Sequence, residues 1–315
     1  MRCRPPSFVR LSGVTDQLAV VTVTYSSGDY VKSFLDTLAL ATDADPRVVI
    51  ADNGSTDGAP EAAERDYPRV TLLHTGANLG YGGAINRAVA EIDPEVEFVV
   101  VANPDVAWGP GSLDELVAAA RRWPRAGSLG PLIREPDGSV YPSARQVPKL
   151  VSGTGHALLG AVWKNNPFTR AYLDEERTDT ERPVGWLSGS CLLLRREAFD
   201  AVDGFDSRYF MYMEDVDLGD RLGRAGWQNV FVPSAEILHT KGHAASKNPE
   251  LMLPAHHRSA YQFQADRNPG PLRAPLRWGL RAGLAIRSRV AVRLARRELD
   301  RAARSGDGAD LGGHQ

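Results

Sequence analysis

Two cysteines in 315 residues are too few for a disulfide framework, and Cys3 and Cys191 lack the close spacing of a metal site. Cys191 lies in an apolar run and reads as a small buried side chain, in keeping with a reducing compartment. A signal peptide is missing too: the basic start MRCR leads into no apolar core segment. No stretch approaches the ~18 apolar residues that a spanning helix needs. Strong net charge is also absent, since 37 basic and 39 acidic side chains leave −2. That balance conceals an asymmetry. Between Leu272 and Arg304, ten arginines face only Glu298 and Asp300, so this stretch carries +8 and the remainder −10. A body this acidic repels nucleic-acid phosphates, whereas the basic stretch calls for an anionic partner. No internal repeat stands out, and nothing in the sequence fixes an oligomeric state.

What is present is the composition of an ordinary globular domain, 43% hydrophobic and 24% charged. LAVVTVT (18–24) is an unbroken β-branched run of the kind found in a parallel strand buried on both faces. RVVIA (47–51), VTLLH (70–74) and EFVVVAN (97–103) repeat it. Helical patterns lie between and after these runs, from Asp29 as N-cap to Leu40, then near 59–66, 80–92 and 111–122. The alternation predicts βαβ units and a mostly parallel sheet with helices on both faces. Residues 143–183, rich in Pro, Gly and polar side chains, read as a long excursion. Then come a strand over 188–196, a short helix, the aromatic and acidic segment FDSRYFMYMEDVDL (205–218), a helix to Gly226 and a strand over 229–233. The expected organisation is a loose tail over 1–17, a catalytic domain over 18–268, a basic amphipathic helical extension over 269–304 and a second tail over 305–315.

In open α/β sheets, ligands bind beyond the carboxyl ends of the strands. Thr24 and Tyr25 follow the first run, and Asp52 opens the loop DNGSTDG after the second. A carboxylate there could read a ribose or base, and an Asx-type turn would use the same residues. NLGYGGAIN (78–86) is a glycine-rich helix entry whose backbone N–H groups could face a diphosphate. It is not the dinucleotide fingerprint, because no G-x-G-x-x-G follows the first strand. Asn103-Pro104-Asp105 ends the fourth run: Asp105 could hold a hard divalent cation, or the triplet could merely turn the chain. Glu214 and Asp215 open a helix behind Tyr209, Phe210 and Tyr212, as dipole partners or as a partly desolvated base. His239 follows the last strand, with Lys241 and His243 beyond it. Near Asp105 it would complete a metal site.

The order of these motifs resembles the family 2 glycosyltransferases, which have the nucleotide-diphosphate-binding GT-A fold, and within them the bacterial rhamnosyltransferase-like branch. The resemblance runs from about Leu18 to His243, about 70% of the chain. It rests on VTYSSGD, DNGSTDG, NLGYGGAIN, NPD, WLSGSCLLLRREAF, FDSRYFMYMEDVDL and a terminal H-x-x-x-H. It implies that Thr24, Tyr25 and Asp52 contact the nucleotide, with Asn78, Gly82 and Asn103 near the diphosphate and donor sugar. It further implies that Asp105 and His239 bind Mg²⁺ or Mn²⁺ and that Asp215 is the catalytic base of an inverting displacement. Trp186, Ser188, Gly189 and Glu214 would lie on the acceptor side. Asn103 stands where the family's metal motif has its first Asp, which weakens the ligand set.

The resemblance also suggests dTDP-L-rhamnose as donor and GlcNAc-diphosphate-polyprenol as acceptor, in cell-wall or polysaccharide synthesis, with UDP-galactofuranose or UDP-GlcNAc as alternative donors. A sugar-phosphate nucleotidyltransferase would carry a basic glycine-rich loop after the first strand, where this chain has TYSSGDY. A non-catalytic nucleotide-sugar or glycan-binding module would not need Asp105, Asp215 and His239 together. Residues 272–304 interleave leucines, Trp278 and arginines, which predicts a helix held at an anionic membrane surface on its cytoplasmic face, or packed on the domain with a solvated basic side.

Overall fold

The computed structural model describes residues 17–148, 178–240 and 249–306. Cys3, Lys241, His243, most of both terminal tails and most of the expected excursion lie outside the described residues.

Four strands follow the predicted rhythm: β1 (Leu18–Thr24), β2 (Arg47–Asp52), β3 (Val70–His74) and β4 (Phe98–Ala102), interspersed with α1 (Tyr30–Ala41), α2 (Ala59–Asp66) and α3 (Gly80–Val89). They pair in parallel in the order β3-β2-β1-β4. Side chains of β1 alternate between two cores. Leu18 and Val20 join Phe34, Leu35 and Leu113 on one face, while Ala19 and Val21 join Ile85, Val89 and Phe205 on the other. Each fully buried aliphatic side chain contributes about 1.5–3 kcal/mol, so both faces hold the strand in register. Asp29 is the N-cap of α1, as expected, but its side chain makes no capping bond.

The second half departs from that rhythm. After β5 (Val106–Trp108) and α4 (Ser112–Arg122) comes β6 (Ala126–Arg134), a fully paired interior strand that the sequence reading passed over. Gly127, Gly130 and Pro131 argue against a central strand by propensity. Packing explains the glycines: a Cβ on Gly127 would stand 2.9 Å from Trp227 Cβ, and one on Gly130 would stand 3.0 Å from Leu187 Cδ2. Short strands β7 (Val140–Tyr141), β8 (Ala144–Arg145), β9 (Arg182–Val184) and β10 (Trp186–Leu187) follow, then β11 (Cys191–Arg195), α5 (Arg196–Ala201), α6 (Glu214–Arg224) and β12 (Gln228–His239). Cys191 is buried in β11, and burial pushes its thiol far up.

The main sheet reads β3-β2-β1-β4-β11-β6-β12-β5, with β11 antiparallel to both its neighbours and β12 parallel to β6. β12 extends beyond the expected strand. A register shift between Val232 and Glu236 accommodates Pro233, and the strand then pairs antiparallel with β5, setting His239 opposite Val106. Two helices close the described chain, α7 (Pro249–Arg267) and α8 (Ala274–Gly306), with a 3₁₀ turn over Pro271–Arg273 between them. The predicted basic stretch is therefore helical. Among the described residues no helix is long and apolar enough to cross a membrane.

Candidate active site

The carboxyl ends of β1, β2 and β4 lie at one edge of the sheet. There Asp52, 3% exposed, accepts the Thr24 hydroxyl at 2.9 Å, the Gly54 N–H at 3.2 Å and the Ser55 N–H at 3.0 Å. His74 Nδ1 lies 3.5 Å from its second oxygen. Burial pushes this carboxyl up, but the bonds from Ser55, Thr24 and Gly54 outweigh it and hold the group below its ordinary range. Both oxygens are therefore engaged in shaping the loop that follows β2. Tyr25, 60% exposed, stands at the rim beside it.

The entry to α3 differs from expectation. The Asn78 side chain accepts the Gly80 N–H at 3.0 Å, and the Tyr81 N–H goes to the Phe210 carbonyl at 3.3 Å. These two N–H groups of the helix entry are thus satisfied from within the fold. Gly82, expected beside the diphosphate, instead turns its open side to Phe205, whose Cβ would lie 2.7 Å from an added methyl. Gly80 has φ +73° and no room at all, since an added Cβ would meet the Phe210 oxygen at 2.0 Å.

Three of the predicted side chains converge at the end of β4. His239 Nε2 lies 3.1 Å from Asp105 Oδ1 and 3.3 Å from Asn103 Nδ2, although 134 positions separate His239 from Asp105. The β12–β5 register creates this meeting, and the Thr240 N–H bonded to the Asp105 carbonyl at 3.1 Å fixes it. The Asn-Pro-Asp triplet is also a turn, with the Val106 N–H on the Asn103 carbonyl at 3.2 Å; turn and site coincide. His239 is 7% exposed, and its Nδ1 is buried without a hydrogen bond. Among the described residues no three His, Cys, Asp or Glu side chains gather, so a cation here would need ligands from a bound molecule. The spacing suits one: adjacent ligands of an octahedral ion at about 2.1 Å stand about 3 Å apart.

The acidic pair lies next door. Asp215 accepts the Gly189 N–H at 2.9 Å and the Val216 N–H at 2.8 Å. Gly189 leads to Ser190, whose carbonyl accepts the Asn103 N–H at 2.9 Å. A continuous path therefore runs from Asp215 through Gly189, Ser190, Asn103 and His239 to Asp105. Burial raises the Asp215 carboxyl above its ordinary value despite the two N–H bonds. Glu214, 8% exposed and with Oε2 unpartnered, is also raised, to about 8, by burial and by the charge of Asp215.

On the expected acceptor side the structure divides the set. Gly189 touches Asp215 directly: a Cβ there would lie 3.3 Å from Asp215 Cβ. Ser188 is buried, with its hydroxyl 3.1 Å from that of Ser190. Trp186 belongs to a core with Tyr209, Val216 and Phe263, and its indole N–H goes to the Gln146 carbonyl at 3.0 Å. It supports the wall from behind.

Two residues escaped the sequence reading. The Tyr81 hydroxyl donates to the Gly189 carbonyl at 2.5 Å. Burial raises this phenol, and the fields of Cys191, Glu214, Asp215 and Asp105 raise it further, so Tyr81 senses both acidic centres. Arg145, stacked 5.9 Å from the centroids of Tyr141 and Trp186, supplies the positive field that opposes the rise at Asp215. It lies in the stretch read as an excursion; a lone Arg among Pro and Gly carries no pattern. A cavity of about 150 Å³ lined by Leu18, Thr42, Phe98 and Asp114 opens at the opposite ends of β1 and β4, away from this cluster.

With this geometry in place, comparison with known proteins decides the family. The pattern of glycosyl transferase family 2 matches residues 19–203. The chain belongs to glycosyl transferase family 2. It is 61% identical over 289 residues to an N-acetylglucosaminyl-diphospho-decaprenol L-rhamnosyltransferase of Mycobacterium tuberculosis, covering 89% of this chain and 94% of that one. It is 26% identical to the rhamnosyltransferase WbbL of Escherichia coli, over 71% of this chain and 83% of that one. Among solved structures, a mannosyltransferase of Pyrobaculum calidifontis in complex with GDP-Man and Mn²⁺ aligns with a TM-score of 0.55 at 17% identity, covering 95% of this chain and 76% of that one. The fold is the GT-A fold of this glycosyltransferase family, and glycosyl transfer is its chemistry.

Proposed function

We propose that this glycosyltransferase moves L-rhamnose from dTDP-L-rhamnose to the GlcNAc of a polyprenyl-diphosphate-linked acceptor, with inversion at the anomeric carbon. The L-rhamnosyltransferase activity of the 61% identical relative on N-acetylglucosaminyl-diphospho-decaprenol supports the sugar and the acceptor. The observation that supports the mechanism is the unbroken path from Asp215 to Asp105, which brings the residues we read as base and cation ligand close together.

In this mechanism Asp215 accepts the proton of the acceptor hydroxyl as its oxygen attacks the donor sugar. A carboxylate raised by burial is a stronger base than an exposed one, and the Gly189 and Val216 N–H groups favour its ionised form. Asp105 and His239 would hold Mg²⁺ or Mn²⁺, with Asn103 alongside; the ion would neutralise the departing nucleoside diphosphate. Thr24, Asp52 and Tyr25 shape the donor end, and Asn78 closes the loop beside it. Glu214 lies beside Asp215 and gives the acceptor side an uncommitted oxygen.

A lipid-linked acceptor calls for work at a membrane surface, which we take to be the cytoplasmic face, and α8 supports a surface role. Leu280 and Leu284 are half-buried, whereas Leu276, Trp278, Ile286, Val290 and Leu294 remain exposed among arginines. An exposed apolar stripe with flanking arginines suits an anionic lipid surface. Deletion of residues 272–315 should abolish flotation with anionic liposomes; equal flotation would sink the membrane role.

The deciding experiment offers dTDP-L-rhamnose, UDP-galactofuranose and UDP-GlcNAc separately, with GlcNAc-diphosphate-polyprenol and Mg²⁺, Mn²⁺ or chelator. Transfer from dTDP-L-rhamnose alone, lost with chelator and giving the opposite anomer, is expected. Transfer only from a UDP-sugar would overturn the donor, and release of nucleoside diphosphate from none would overturn the reaction.

A further inference from the structure

The backbone just before the acidic pair is held in a conformation its own side chains disfavour. Tyr212 has φ 67° and Met213 has φ 69°, two consecutive left-handed residues, neither of them glycine. Such a conformation persists only where its surroundings impose it. From one side α3 imposes it, through the Tyr81 N–H on the Phe210 carbonyl and the missing Cβ of Gly80. From the other side α7 does. The buried Ser259 hydroxyl donates to the Met211 carbonyl at 2.9 Å, and His256 meets the Tyr212 ring edge-on at 5.3 Å between centroids. Met213 packs against the cluster that contains Phe263 of α7. The helix is itself tied down: Arg267 pairs with Asp220 of α6, and Asp266 pairs with Arg208 at 2.8 Å. All of α7 lies beyond residues 19–203, the span matched by the family pattern.

We infer that Ser259 is a positioning residue for glycosyl transfer. Its hydroxyl anchors the carbonyl that precedes the left-handed pair, so that α6 begins at Glu214 with Asp215 directed at the Gly189 N–H. This inference rests on the reading of Asp215 as the base. It assigns α7 a catalytic duty: without the anchor, Tyr212 and Met213 relax toward ordinary φ, the first turn of α6 shifts and the base loses its aim. Donor binding at the ends of β1 and β2 does not depend on this hydroxyl.

The test uses the full-length protein with Ser259→Ala and Ser259→Thr. Ser259→Ala should lower kcat about tenfold, the effect of losing one buried hydrogen bond. Donor KM, and the donor affinity and stoichiometry measured by calorimetry, should stay within about twofold of the parent. Ser259→Thr keeps the hydroxyl and should recover most of kcat. Wild-type kcat in the Ala variant, a Thr variant as slow as the Ala variant, or a fall in donor stoichiometry with kcat per site unchanged would each overturn the inference. Parallel assay of Asp215→Asn separates the two levels. Loss of transfer there upholds the base whatever Ser259 does, and retention removes the base and this inference together.

Discussion

The half read as binding the donor, β1 to β4 with α1 to α3, and the half read as catalytic, β5 to α8, here the donor half and the catalytic half, are built on different principles. In the donor half, parallel pairing sets the arrangement: α2 packs against β3, α3 against β1 and β2, and the polar residues after β1, β2 and β4 reach one edge by topology alone. In the catalytic half, the groups that matter are brought together from a distance. His239 meets Asp105 across the β12–β5 register, and Asp215 meets Gly189 across the turn into β11. The first arrangement rests on continuous parallel ladders and tolerates local change, except where α3 meets the second half at Gly80 and Phe210. The second depends on single contacts.

The largest effect should come from the catalytic half. Asp215→Asn should cost about 10²–10⁴ in transfer rate, the usual contribution of a general base, while calorimetry shows the donor still bound. Near-parental turnover would remove Asp215 from the mechanism. Next comes Asp105→Ala, expected to cost about 10²–10³ by analogy with the loss of one charge-stabilising group and to abolish stimulation by Mg²⁺ or Mn²⁺. A variant that still responds to added metal like the parent would place the cation elsewhere.

In the donor half the contrast can be sharpened by stability. Gly80→Ala combines φ +73° with a collision at the Phe210 oxygen and should cost about 2–4 kcal/mol in denaturant unfolding. Gly58→Ala, at φ +72° but in open space, should cost only about 1 kcal/mol. Equal losses at both positions would show that backbone conformation alone, and not the approach of Phe210, demands the glycine.

The remaining test concerns pH. Glu214 binds its proton more tightly when folded, its pKa rising from about 4.5 to about 8. Between those values the folded state holds a proton that the unfolded chain has released, so stability falls as pH rises. The stabilising contribution is complete below the ordinary carboxyl range and is lost through about pH 8. Glu214→Gln cannot ionise. Its stability advantage over the parent should therefore grow across this window and level off above it. A pH-independent difference in unfolding midpoint would contradict the burial of an ionisable Glu214.

The same division governs what could be read before the structure. Strands β1 to β4 were placed within a residue or so, because β-branched runs buried on both faces leave a clear pattern. β6 was missed because Gly127, Gly130 and Pro131 look like loop, when the glycines in fact admit Trp227 and Leu187. α7 was missed because it carries Pro254 in its interior and lacks a clear apolar face. Asp105, Asp215 and His239 were named from motif order, whereas Tyr81 and Arg145 carried no signal. Which way Gly82 and Trp186 face, toward Phe205 and toward the Tyr209–Phe263 cluster, was not legible, since a glycine in a rich loop and a tryptophan before a strand carry no directional signal.

By itself, then, the amino-acid order determined the parallel donor half, the absence of a spanning segment and the identity of the acidic residues, all of which follow from local periodicity and composition. Only the tertiary structure decided which of those groups meet. Register between β12 and β5, the bulge that carries the chain past Pro233 and the left-handed turn into α6 each depend on contacts between segments far apart in the chain. Such contacts are set by packing and hydrogen-bond geometry, which leave no periodic trace in either partner.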